Sequence, residues 1–147
     1  MTGERARARR REASVLGVVA AGGVLGAEAR YGLGVLLPHG PAGWPWSTLV
    51  ANLSGCLLIG VLMVVITELT VAHRLVRPFL GVGVLGGYTT FSTATVDVLT
   101  LAHAGRPLAA LAYVVATPVL AVLACGIGVV ATRVAAGRAP QPREGGR

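Results

Sequence analysis

Apolar residues run along this chain in four blocks, 14–37, 46–69, 76–101 and 107–133, separated by short breaks of polar residues, proline and glycine. A helix needs roughly 20 apolar residues to cross the hydrocarbon core of a bilayer, and each block is long enough. The first break, 38–46, is rich in helix breakers and carries Trp44 and Trp46, side chains suited to the headgroup interface. The third, 103–107, stops one helix and starts another with Pro107 at its first position. Little chain remains outside the blocks, which excludes a soluble catalytic domain. The pattern predicts an all-α protein of four transmembrane helices: a basic tail 1–13, a membrane domain 14–133 and a second basic tail 134–147.

Composition agrees with that reading. Of 147 residues, 54% are apolar and only 13% charged, more apolar surface than a soluble domain of this size can hide. The net charge of +7 raises the question of nucleic acid. Its arginines sit at the ends and in short loops without interleaved aromatics, so no nucleic-acid partner is expected. They act as a topology signal instead. Arg5, Arg7, Arg9, Arg10 and Arg11 precede the first block, Arg74 and Arg77 lie in the second break, and Arg133, Arg138, Arg143 and Arg147 follow the last. The opposite side has only Arg106. By the positive-inside rule, this bias puts both termini in the cytoplasm of a cell-membrane protein and fixes one orientation.

A basic run followed by apolar residues and Ala27-Glu28-Ala29 also imitates a cleavable signal peptide. Cleavage would leave three spans and cut a motif described below, so the first block is read as a retained helix. Cys56 and Cys125 lie inside apolar blocks, where cysteine serves as a small buried hydrophobe, and no disulfide is expected. His39, His73 and His103 fall one to each connection, without the spacing of a metal site.

Polar residues inside the blocks carry more information, because in hydrocarbon they must be paired or face a cavity. Thr48 and Asn52 share one face of the second block. In the third block, paired glycines and a run of hydroxyls, Gly86-Gly87-Tyr88-Thr89-Thr90-Phe91-Ser92-Thr93, make a continuous helix costly, so a break freeing backbone carbonyls is expected. Tyr113 and Thr117 share a face of the fourth block, where Pro118 removes a backbone donor.

These residues resemble a known family. Gly23-Val24-Leu25-Gly26-Ala27-Glu28-Ala29-Arg30-Tyr31, then Trp44 to Gly55, then the run from Gly86 to Thr93, are similar to the three signatures of the Fluc (CrcB) fluoride channels, in the same order. The resemblance implies a channel that lowers cytoplasmic fluoride by passive export, assembled as an antiparallel dimer with the third helix broken near its middle. It implies a structural Na⁺ at the dimer centre, held by the backbone carbonyls of Gly86 and Thr89. It also implies an anion path past Asn52, Phe91, Thr48, Ser92, Tyr113 and Thr117. Arg30, near the end of the first span, is expected at a vestibule or reaching lipid headgroups. Asp97 matches an acidic family position, with a solvated interfacial carboxylate as the plain alternative.

Two departures stand against the family pattern: Ala94 replaces a second phenylalanine and Ser47 replaces a glycine. Two copies of this chain would give two pores each lacking a ring, and the arginine bias disfavours the dual insertion that an antiparallel homodimer needs. Pairing with a homologous subunit of opposite orientation is therefore expected, with a homodimer as the alternative. Two other readings remain: a non-conducting membrane subunit or scaffold, and a small proton-coupled multidrug exporter using Glu28. The exporter leaves the hydroxyl-rich third block without a role.

Overall fold

The computed structural model describes residues 2–137, which are helical with no strand among them. The helices are α1 (Thr2–Leu36), α2 (Trp46–Val64), α3 (Leu85–Tyr88), α4 (Phe91–His103) and α5 (Pro107–Ala135). A π-helical turn, Val65–Leu69, extends α2, and a second π-helical segment, Arg77–Val84, runs into α3. Among the described residues, three stretches are long and apolar enough to cross a bilayer: Arg9–Leu36, Trp46–Leu69 and Pro107–Ala135. They match the first, second and fourth predicted spans. The predicted third span, 76–101, is not one long helix; its residues are divided among the second π-helical segment, α3 and α4.

The basic stretch expected as a separate tail is, from Thr2 on, the first turns of α1. At 1.5 Å per residue this helix is about 52 Å long, well beyond a hydrocarbon core of about 30 Å. The predicted C-terminal tail, with Arg138, Arg143 and Arg147, lies from residue 138 on outside the described residues.

Lipid tails are as apolar as leucine, so helices in a bilayer are held by close packing of small residues, not by hydrophobic expulsion. Two glycine-lined seams do this here. Where α1 meets the second π-helical segment and α3, a Cβ on Gly22 would strike the Phe79 carbonyl oxygen, one on Gly26 that of Val84, and one on Gly87 that of Gly23. Where α2 meets α5, a Cβ on Gly60 would strike the Cys125 carbonyl and one on Gly128 that of Leu57. Pro118 lies within α5 without ending it. Large apolar side chains such as Leu25, Leu58 and Val122 point outward from these seams.

The segment before residue 89 packs on α1, whereas α4 packs on α5. The chain therefore passes from one helix pair to the other at Thr89 and Thr90. The α4–α5 corner is set by Gly105 at φ 75°, a left-handed conformation natural to glycine. Arg106 N–H bonds Leu101 O at 3.0 Å and Gly105 N–H bonds Ala102 O at 3.1 Å, the pairing of a Schellman stop. At this end Arg106 also donates to the Ala42 carbonyl in the first loop. At the opposite end Arg133 forks onto Glu68, with Nη2 to Oε1 at 2.6 Å, joining α5 to the π-turn after α2.

Trp44 is half-buried and packs edge-on against the buried Tyr113 ring, centroids 5.4 Å apart, while Trp46 is exposed. With Leu49, Ala94, Leu101 and Ala110 these rings form a small core at the loop end of α5.

Candidate functional site

Thr89 (φ −83°, ψ 156°) and Thr90 (φ −152°, ψ 125°) have extended backbone between the end of α3 and the start of α4. Peptide groups that leave a helix at membrane depth need other partners, and side chains from α1 and α2 supply several. The Asn52 amide makes a reciprocal pair with Thr90: Thr90 N–H donates to Oδ1 at 2.8 Å, and Nδ2 donates to Thr90 O at 2.9 Å. Arg30 Nε donates to Gly87 O at 3.2 Å, a cation against the carbonyl end of α3. Thr90 Oγ1 in turn accepts Thr93 N–H at 3.1 Å and caps α4. In an unbroken helix Thr90 N–H would bond Gly86 O and Thr93 N–H would bond Thr89 O. Both donors go to side chains instead.

Neighbours make room for this segment. A Cβ on Gly55 would collide with the Thr89 methyl and press on the Tyr88 ring. The Tyr88 hydroxyl meets Ser54 Oγ at 2.9 Å, tying α3 to α2.

Two hollows have Thr90 in their walls. The first, about 320 Å³, runs between α2, α4 and α5 and is lined by Asn52, Thr89, Phe91, Ala94, Tyr113 and Thr117 among others. The second, about 700 Å³, is bounded by α1 and the start of α2 and includes Glu28, Arg30, Thr48 and Thr93. The first is a mostly apolar groove with a few polar atoms; the second is a wider, charged vestibule. Along the groove, the Tyr113 hydroxyl and Thr117 Oγ1 are buried without a hydrogen-bond partner among the described residues, as is Asp97 Oδ2 nearby. The Tyr113 hydroxyl lies beside Thr48, Thr117 and Asp97. A buried hydroxyl left unpaired carries a desolvation penalty of about 1–3 kcal/mol; those of Tyr113, Thr117 and Thr48 face one another, so they can pair among themselves or turn to a ligand in the groove.

Most predicted site residues fall around these hollows. Asn52, Phe91, Tyr113 and Thr117 line the groove and Thr48 the vestibule. Ser92 lies on neither wall; it is exposed, with its hydroxyl 3.3 Å from that of Thr90. Phe91 is 88% exposed in the single chain and Gly86 is also exposed. Arg30 reaches the vestibule as expected but turns inward to Gly87 instead of snorkelling to headgroups. Asp97 is not a solvated interfacial carboxylate; it is buried on α4 close to Tyr113. Thr95 and Cys56, which also line the groove, were missed. Thr95 is one turn beyond Phe91 and Cys56 one turn beyond Asn52, so helical spacing from those residues was the signal that pointed to them.

With three helices long and apolar enough to cross a bilayer among its described residues, the chain is of the class of small helical membrane proteins. The chain belongs, more narrowly, to the family described as CrcB-like protein, Camphor Resistance (CrcB), whose model matches residues 17–129. The fluoride-specific ion channel FluC 2 of Streptomyces avermitilis is 55% identical over 118 residues, covering 77% of this chain and 75% of that protein. FluC 1 of Streptomyces coelicolor is 52% identical over 124 residues, 84% of this chain and 80% of its own. FluC 2 of Nocardia farcinica is 46% identical over 126 residues, 86% and 90% respectively. This is a family of channels and not of enzymes.

Proposed function

We propose that this chain is a fluoride channel subunit whose anion path runs from the vestibule, past Thr90, into the groove. The observation that carries the reading is the row of unpaired groove hydroxyls on Tyr113 and Thr117 beside Asn52, in a chain about half identical to proteins named fluoride-specific ion channels. Fluoride is small and strongly hydrated, so it enters a narrow apolar groove only where hydrogen-bond donors replace its water. The two hydroxyls, the second N–H of the Asn52 amide and the electropositive edge of the Phe91 ring are donors of that kind. None carries a full positive charge, which would hold the anion too tightly for conduction. Arg30, in the vestibule, draws anions toward the path without standing in the groove.

On this reading α3 and α4 together form the third membrane crossing, interrupted at Thr89 and Thr90, and the charge bias sets both termini in the cytoplasm; passive flux lowers cytoplasmic fluoride whenever its electrochemical gradient points outward. The carbonyls of Gly86 and Thr89 are hard oxygen donors suited to a structural Na⁺. Such an ion would tie the exposed Gly86 face to a second subunit and is not itself transported.

The partner is a homologue of opposite orientation. The arginines at one end, Arg5, Arg7, Arg9, Arg10, Arg11, Arg74, Arg77 and Arg133, lock one insertion direction. Ala94 leaves the groove short of a ring that a partner with both phenylalanines supplies. Streptomyces avermitilis has relatives numbered 2 and 3, which is in keeping with paired subunits.

The test is fluoride efflux from proteoliposomes carrying this chain with and without an antiparallel homologue. Fluoride-selective efflux in the paired vesicles is expected; its absence in both preparations rejects the channel reading and leaves a non-conducting subunit. A C-terminal tag accessible from one side only is the companion expectation. Equal labelling from both sides would remove the argument for a heterodimer.

A further inference from the structure

We propose that Asn52 is a positioning residue, whose amide stands in for the missing peptide partner of Thr90 and so keeps the wall between vestibule and groove in its conducting shape. The pairing is reciprocal, 2.8 Å in one direction and 2.9 Å in the other. An amide side chain presents one acceptor and one donor edge with the spacing of a backbone peptide, and only asparagine and glutamine carry both on a single planar amide. Asn52 is buried on α2, one turn from Gly55, whose bare α-carbon lets Thr89 approach. Thr90 is the residue shared by both hollows, so whatever holds its backbone shapes a wall of each.

Of the groups Asn52 carries, Oδ1 and one N–H are committed to Thr90. One N–H remains for the groove. The residue therefore does two separable things. Its acceptor fixes Thr90 N–H; its donors serve Thr90 O and the path. A residue acting only as an anion ligand would leave the Thr90 amide indifferent to its loss.

This inference rests on the reading of the groove as a fluoride path only for its flux readout. Amide hydrogen exchange at Thr90, measured in lipid nanodiscs holding the chain with its partner subunit, reports the clasp by itself. Asn52→Ala is expected to speed Thr90 exchange about tenfold or more, the scale of one lost buried hydrogen bond, and to cut fluoride flux by at least about tenfold. Asn52→Asp retains an acceptor for Thr90 N–H. It is expected to keep Thr90 exchange within about threefold of the unsubstituted chain while still losing flux, because both N–H donors are gone. Should Asn52→Ala not assemble, the Asp variant and Asn52→Ser, which is too short to span both groups, carry the same comparison. Unchanged Thr90 exchange in Asn52→Ala or Asn52→Ser overturns the proposal, as does acceleration in Asn52→Asp equal to that in Ala, or faster exchange with flux intact. If the unsubstituted chain passes no fluoride, the channel reading fails, and the exchange measurements still decide the clasp.

Discussion

The glycine seams and the Thr89–Thr90 segment answer one constraint in opposite ways. Along the α2–α5 seam the chain stays helical, and the two backbones lie against each other at Gly60 and Gly128, where a Cβ would strike the facing carbonyl. At Thr89 and Thr90 the helix is given up, and Asn52, Arg30 and the Thr90 hydroxyl supply partners from three different places in the sequence. The extended segment contributes Thr90 to the walls of both hollows, with the Tyr113 and Thr117 hydroxyls along one of them. In a bilayer, chemistry concentrates where backbone pairing is interrupted and side chains take it over.

The largest effect that would sharpen this contrast is expected at a seam. Gly60→Leu forces a branched side chain into the Cys125 carbonyl and is expected to cost about 3 kcal/mol or more, read as lost thermal stability in detergent together with lost flux. Survival with ordinary stability would mean the α2–α5 backbones are not in contact. Next comes the groove. Thr117→Val removes an unpaired buried hydroxyl at constant shape, so stability is expected to hold or rise slightly, while fluoride flux falls about tenfold. A stability loss with flux preserved would place Thr117 among packing residues instead.

Arg30→Gln should be smaller on both axes. It exchanges a charge-assisted bond to Gly87 O for a weaker one, expected to cost about 1–2 kcal/mol and a few-fold in flux at low salt. Since Arg30 also draws anions electrostatically, that flux deficit should grow as ionic strength falls. A deficit independent of salt would leave only the positioning part. The smallest effect is expected from Glu68→Gln. The Glu68–Arg133 pair is partly exposed, at 28% and 39%, and exposed ion pairs contribute little. Unfolding temperature and flux should both stay where they are.

How far the sequence foretold this molecule depends on the range over which each feature is determined. Blocks of apolar residues are a local property, and α1, α2 and α5 follow from them directly. The third block contains its own breakers, Gly81, Gly83, Gly86 and Gly87, and its residues form no helix long enough to cross alone. The widening of 77–84 into a π-helix has no local signature; its Gly83 sits against α1 and its Gly81 faces α2, and those contacts are invisible in a linear pattern. The candidate residues Asn52, Tyr113 and Thr117 were legible because a polar side chain in an apolar block must find something to do. What they bond to was not. Arg30 and Gly87 are 57 residues apart, Asn52 and Thr90 are 38 apart, and the inward turn of Trp44 onto Tyr113 depends on how the first loop folds back over α5. Asp97 has the composition of an interfacial carboxylate and the position of a buried one because α4 packs that face on α5.

The central claim is that the groove from Thr90 to Thr117 conducts fluoride. Its most direct test compares fluoride and chloride efflux from liposomes carrying the chain with an antiparallel homologue, before and after the paired substitution Tyr113→Phe and Thr117→Val. The account predicts fluoride efflux with no matching chloride efflux from the unsubstituted pair, and its near loss when the two hydroxyls are removed from subunits that still assemble. Fluoride efflux unaffected by that loss, or equal passage of chloride, would contradict it.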